Sequence, residues 1–389
     1  MPIHAGDEMI GLYAEYYSPF PKGEIYLGRI ERFSSYSHEL NAIGGMISCT
    51  ISFAVSHPEA EEWYENGLGR VIKVNDEAGM CCFYGMVNQI TLNAGGLNEV
   101  IGPLFDIANR VSGVYTPRDF SVYPPIDGTQ TITLIVEDEE SQSEYGIIEK
   151  VITIGTTTEE TANKIRDVFL NENKSPKTSG DLALSTSNLR YSTISLNVVG
   201  IYEWLKHYVY NEDLTGYDYL SEKIINILQA DPNSFISKDY SYIQDNNYLV
   251  PLAETKNRYA WDILQELINL GNDTTDERRV LGIYEDGKVI YELPLKTISY
   301  YHRISDNMQG IFTVGGSLVR PWLVRPAKWI HLTDFIPGRF VDTPSFEDPR
   351  NKFIERVSYS APYSVTLGGG VRDLVNQMIA KITYSGGLL

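Results

Sequence analysis

The chain has 389 residues with 43% hydrophobic content, enough for two to four domains with real cores at about 150 residues each. Its 32 basic and 51 acidic residues leave a net charge of −19, which argues against stable nucleic-acid binding, because that needs cations to neutralise phosphates. No run of about 20 apolar residues offers a membrane-spanning helix, residues 1–7 lack the basic and apolar regions of a secretory signal, and three cysteines (Cys49, Cys81, Cys82) make no disulfide framework and fit a reducing compartment.

Two strand-like runs open the chain, over 9–17 and 25–33. Ser18-Pro19-Phe20-Pro21-Lys22-Gly23 joins them and reads as a turn. A strand over 46–55 leads to a short helix over 58–65. Ser56 and Glu59 have capping-box spacing, Pro58 fits the first turn, and Glu59, Glu61 and Glu62 sit at the positive end of the helix dipole. Gly67 and Gly69 are expected to stop that helix in the left-handed cap conformation. Strands over 70–74 and 80–92 follow. Val71, Lys73 and Asn75 fall on one face, Ile72 and Val74 on the other, and Gly85 marks a bulge or a close approach. A helix plugged into a small antiparallel barrel is the economical reading of residues 1–115.

Residues 116–210 read as a mixed α/β insertion. It holds a turn at Tyr123-Pro124-Pro125-Ile126-Asp127-Gly128, a strand over 131–136, an acidic loop over 137–142 and an extended segment with a helical turn over 141–154. Thr158 caps a helix running to about 173, with Ala162, Ile165 and Phe169 at helical spacing. A strand over 191–199 and a short helix over 201–210 close the insertion. Residues 211–300 are helical with a hairpin: Ser221 caps 222–229, an amphipathic helix spans 259–270, and strands 280–284 and 288–293 flank Glu285-Asp286-Gly287. Helix, glycine and hairpin recur in that order at 58–92 and 259–293, which predicts two related helix-plus-barrel domains. Residues 301–389 are expected to form a C-terminal β domain with strands over 311–314, 317–319, 328–332 and 354–359. A helix over 371–382 ends it, with an apolar stripe that includes Val371, Leu374 and Met378. The fold class is therefore α+β, mainly β: tandem small antiparallel barrels with plugged-in helices and a helical insertion.

No catalytic, cofactor-binding or metal-ligating set emerges, and the expectation is a protein that is not an enzyme. His4, His38, His57, His207, His302 and His331 are isolated in sequence, and no His-Glu-x-x-His or Cys-x-x-Cys spacing occurs. Asn66-Gly67-Leu68-Gly69 follows a helix and lacks the Lys-Ser/Thr of a phosphate loop. No Gly-x-Ser-x-Gly elbow exists. The acidic runs at 137–140 and at Asp273, Asp276 and Glu277 read as solvated loops. What remains is a candidate interface. Arg320, Trp322, Arg325 and Trp329 make a basic aromatic patch of the kind that anchors protein contacts. The alternatives are sugar stacking on Trp322 or Trp329, or Trp packed inside a barrel. Val371, Leu374 and Met378 would bury their stripe on their own domain or on a neighbour. The 27 tyrosines fit interfaces or simply a strand-rich chain.

Several phrases carry a resemblance. They are Leu40-Asn41-Ala42-Ile43-Gly44-Gly45, Trp63-Tyr64-Glu65-Asn66-Gly67-Leu68-Gly69-Arg70, Tyr84-Gly85-Met86-Val87-Asn88-Gln89 and Gly102-Pro103-Leu104-Phe105-Asp106-Ile107-Ala108-Asn109. Trp261-Asp262-Ile263-Leu264 before Tyr284-Glu285-Asp286-Gly287 completes the set. In this order they resemble the tail-tip or baseplate hub proteins of tailed bacteriophages, the minor tail proteins, over most of the chain. The resemblance implies a structural virion protein assembled in the host cytoplasm. It implies a homo-oligomeric ring, a trimer by preference, between tail tube and tip, with no cofactor. The implied partners are a distal tail or tail-tube ring, the tape-measure protein and tip or fibre proteins. The ring would serve DNA passage and host attachment. A receptor- or carbohydrate-binding tail protein is the alternative, and a glycan-degrading enzyme the third possibility. No lysozyme-like or peptidase segment is recognisable.

Overall fold

Period-two apolar runs put most of this chain into strands, and the computed structural model is mainly β with five α-helices among its described residues. It describes residues 11–19, 24–94, 97–182, 192–212, 218–250, 257–271, 279–303, 310–333, 348, 350–360 and 364–368. A sheet of 16 strands curls into a half-barrel. From one edge its order is Tyr26–Ile30, Leu12–Pro19, Arg70–Asp76, Cys81–Ala94, Ser192–Gly200, Gly44–Val55, Ser35–Asn41, Asn351–Tyr359, Trp329–Thr333, Ile298–Arg303 and Ile311–Thr313.

That order joins distant parts of the chain. Ser192–Gly200, expected within the insertion, lies between Gly44–Val55 and Cys81–Ala94 and pairs antiparallel with both. Its inward residues Ile194, Leu196 and Val198 are fully buried, so the central sheet is incomplete until this strand arrives. Ser35–Asn41 pairs with Asn351–Tyr359. The late hairpin of Val280–Ile283 and Val289–Glu292 touches the early sheet through a parallel pairing at Gly44 and Gly45. One continuous cluster accordingly holds Ile72, Phe83, Met86, Leu196, Trp204, Ile263 and Leu267.

Helix α1 (His57–Asn66) covers one end of the sheet. The Ser56 amide donates to Glu59 Oε2 at 3.0 Å in the expected capping box, and the Ser56 hydroxyl donates to the same carboxylate. Gly67 ends the helix in a right-handed conformation, not the left-handed one expected. Glycine is required there because a Cβ would lie 2.3 Å from Trp63 O; the left-handed residue is Gly69, at φ 78°. Trp63 is buried against Tyr16 and Phe53, and buried Arg70 stacks 4.7 Å over it while pairing with Glu62. The Arg70–Asp76 strand is packed on both faces, since Val71, Ile72, Val74 and Asn75 are all buried. Gly85 is a close approach: a Cβ would sit 2.2 Å from Val199 O.

A second unit spans residues 104–173. Strand Arg110–Asp119 is flanked by short antiparallel partners and, in parallel, by Glu149–Thr157. Helix α2 (Glu139–Tyr145) is capped by Asp138, and α3 (Glu159–Asn173) by Thr158, as its sequence predicts. On α3, Ala162, Arg166 and Leu170 are buried and Phe169 packs partly buried beside them, while Ile165 faces solvent. Arg166 turns the helix, donating to Leu134 O at 2.7 Å and pairing with Asp167.

Two further expectations shift. Residues 201–210 form a 3-10 turn, Ile201–Lys206, followed by strand Val209–Tyr210, because Val209 pairs with Tyr259. Helix α4 (Leu220–Gln229) begins before Ser221, which lies buried inside it and accepts from the Asn246 amide at 3.2 Å. Helix α5 (Ala260–Asn269) packs against α4 and the 3-10 turn through Trp261, Ile263, Leu264, Leu267 and Ile268. The expected strand over 317–319 is a single bridge, Phe312 to Leu318.

Candidate functional site

Arg320 enters the 3-10 turn Pro321–Leu323. Its guanidinium lies 2.5 Å from Glu77 Oε1 and 3.6 Å from Asp76 Oδ2. Asp76 already organises that turn, since its Oδ1 accepts from the amides of Ala78 and Met80 at 2.9 Å each. Arg325 donates to Cys81 O at 2.6 Å and to Trp322 O at 3.2 Å, and its amide donates to Tyr300 Oη at 3.3 Å. The two arginines thus staple the 320–325 segment to the 76–81 turn.

The two tryptophans part company. Trp329 is 2% exposed and packs on Phe353 at 5.7 Å between ring centres. That burial leaves no face to stack on a sugar. Trp322 is partly exposed and meets the Tyr359 edge at 5.8 Å. Of the four patch residues, Arg320 is exposed, Trp322 and Arg325 are partly exposed and Trp329 is buried. Val371, Leu374 and Met378 lie outside the described residues.

An apolar surface sits elsewhere. Arg118 pairs with Asp127 at the end of a hairpin whose tip exposes Phe120, Val122, Tyr123 and Ile126; Tyr123 is 99% exposed. Leu134, 85% exposed, and Ile135 follow. In sequence this stretch carries one signal: from 120 to 136 the single charged side chain is Asp127. The edge strand Tyr26–Ile30 makes a second apolar surface, where Ile25, Tyr26 and Leu27 are exposed.

The titratable groups fit structural roles. His38 is buried, its Nδ1 2.7 Å from Tyr36 Oη, and burial lowers its pKa to about 3. His331 meets Asn351 Oδ1 at 2.6 Å, His57 meets Ser192 Oγ at 2.6 Å and His302 meets Gly310 O at 2.8 Å. The cysteines are free thiols, and burial pushes Cys81 and Cys82 up to about 12, far from nucleophilic range. Among the described residues no group of three or more His, Cys, Asp or Glu could hold a metal ion. No described helix is long and apolar enough to cross a membrane.

No protein-family model matches the sequence, and no curated protein matches it. Among solved structures the chain is similar to the tail protein from Neisseria meningitidis MC58, at 8% identity and a TM-score of 0.40, covering 94% of this chain and 98% of that one. It is also similar to the 43 kDa tail protein of prophage MuSo2 from Shewanella oneidensis, at 9% identity and a TM-score of 0.38, covering 92% of this chain and 96% of that one.

Proposed function

We propose that this chain is a structural component of a phage virion tail, a hub or baseplate part placed between tail tube and tip. The exposed apolar hairpin tip is the observation that carries this reading. Phe120, Val122, Tyr123 and Ile126 stand in solvent while the polar groups of the frame are engaged in its own packing. Contiguous apolar surface of that kind marks a place for another protein. The phrases that resemble minor tail proteins support the same reading.

Two separate surfaces support a ring. The hairpin tip and the Tyr26–Ile30 strand, which ends the sheet among the described residues, are different patches, and head-to-tail contact between different patches closes into a ring when the rotation allows. A trimer is the proposed count, with a distal tail or tail-tube ring, the tape-measure protein and tip or fibre proteins as neighbours. An acidic lumen would let DNA pass without sticking, in keeping with the charge of −19. The role is structural rather than enzymatic, and the place is the virion tail after assembly in the host cytoplasm.

Mass photometry and negative-stain imaging of the purified chain, alone and mixed with tail-tube protein, test it. A closed ring that caps tube ends is the expected result. A persistent monomer that ignores the tube would overturn it and favour a receptor- or carbohydrate-binding role centred on Trp322, the patch tryptophan that keeps some exposed surface.

A further inference from the structure

The unit over residues 104–173 meets the main body through Leu104, Phe105, Ile107 and Ile148, which join the main core, and through a polar seam beside them. Asn109 donates to Gly146 O at 2.7 Å and accepts from the Ile148 amide at 2.8 Å, shaping the unit's own edge. Across the seam the Ile147 amide donates to Asn233 Oδ1 at 2.7 Å, and Asn233 returns a bond to Ile147 O at 2.9 Å. The Glu149 amide donates to His207 O at 3.0 Å, and the Glu149 carboxylate accepts from the Val209 amide at 2.5 Å while pairing with Arg110 at 2.9 Å.

His207 stands in the middle of this seam. Its ring lies flat on Phe105, 4.5 Å between centres and 11° between planes. Its Nδ1 is 3.1 Å from Lys150 Nζ, and its Nε2 is 3.7 Å from Glu203 Oε1. A lysine ammonium has donors and no acceptor. Nδ1 must therefore accept from Lys150, and the ring proton sits on Nε2, toward Glu203. We propose that His207 and Lys150 form a proton-operated latch: a proton on Nδ1 removes the acceptor, sets two cations in contact and releases the unit from the main body.

The charges around the ring are accounted for on each side. Glu203 and Lys206 come from its own turn and pair with each other at 2.8 Å. Lys150 comes from Glu149–Thr157, and Asp106, next to Phe105, acts on Lys150 rather than on the ring. Glu149 meets His207 through its backbone amide. Burial is the main influence holding His207 below its usual 6.5, with Lys150 acting the same way and Glu203 opposing. The closed seam thus favours the neutral ring. It is fully stabilised above pH 6.5 and weakens as pH falls through the lowered pKa. The latch does not depend on the tail reading, but it bears on the same unit that carries the exposed hairpin. Acid would change how that hairpin is presented.

Hydrogen exchange of the full chain at about pH 7.5 and about pH 5.5, corrected for intrinsic rates, tests it. The expected result at the lower pH is loss of protection in Leu104–Asp106 and Glu149–Thr157, with Ser192–Gly200 still protected. His207→Gln, which keeps an acceptor that does not titrate, and Lys150→Met are each expected to abolish the response, while Glu149→Gln retains it. A wild-type chain with no pH response overturns the latch. So does an unchanged response in His207→Gln, or in Lys150→Met where the glutamine variant fails to fold. A response lost in Glu149→Gln but kept in His207→Gln overturns it as well.

Discussion

His38 shows what burial does to a single side chain here. It is 3% exposed, bonded to Tyr36, and its pKa falls to about 3, chiefly through burial with the Arg325 charge adding to it. The folded chain keeps the ring neutral, whereas the unfolded chain takes up a proton below the ordinary 6.5. This contribution to stability is complete above pH 6.5 and is lost as pH drops toward 3. His38→Gln should therefore flatten the acid side of a denaturation-midpoint profile, and an unchanged profile would show that His38 is not a source of it. The tryptophan pair gives a second contrast. Trp329→Ala removes a fully packed ring and should cost about 3–5 kcal/mol in urea unfolding, whereas Trp322→Ala, at a partly exposed site, should cost clearly less. At Gly85 there is no room for a methyl group beside Val199 O. Gly85→Ala is expected to destabilise by about 2 kcal/mol or more, measured by the same unfolding curves.

Elements built from local signals were legible in the sequence. The Ser56–Glu59 pairing, the Thr158 cap and the Glu285–Gly287 turn all stand where spacing put them. What local signals do not carry is partnership at a distance. Ser192–Gly200 alternates like any half-buried strand, and nothing within it says that its neighbours lie near residues 50 and 90. On α3, Ala162 and Phe169 lie on the packed side as their spacing predicts, but Ile165 faces solvent and the polar Arg166 turns inward through its bond to Leu134 O. For the candidate interface, residue type carries no information about context. Arg and Trp do cluster at 320–329, yet Arg325 and Trp329 bind the chain to itself. The hairpin at 118–127 was legible as a turn, but its exposure was not. Replacing Phe120 and Ile126 together by serine should leave stability within about 0.5 kcal/mol. The same pair should abolish self-association in sedimentation velocity, and an oligomer that survives it would move the contact elsewhere.

At the scale of the whole molecule, a surplus of 19 negative charges pushes the folded chain apart from within. Salt screens that repulsion over about 10 Å at 0.1 M. The melting temperature should therefore rise between about 0.01 M and about 0.15 M sodium chloride, and calorimetry showing a fall would mean that attractive ion pairs such as Arg110–Glu149 dominate instead. The sheet order has another consequence, for the birth of the chain. Ser35–Asn41 finds its first partner, Gly44–Val55, almost at once. Its second is Asn351–Tyr359, and the Glu39–Arg356 contact across that pairing spans 317 positions. At roughly 5–20 residues per second on the ribosome, this edge waits about 15–60 seconds for its neighbour. During that wait its backbone donors and acceptors are open to any passing strand. The nascent chain thus places a demand on holding chaperones, and dilution from denaturant should recover native protein in a yield that falls as concentration rises.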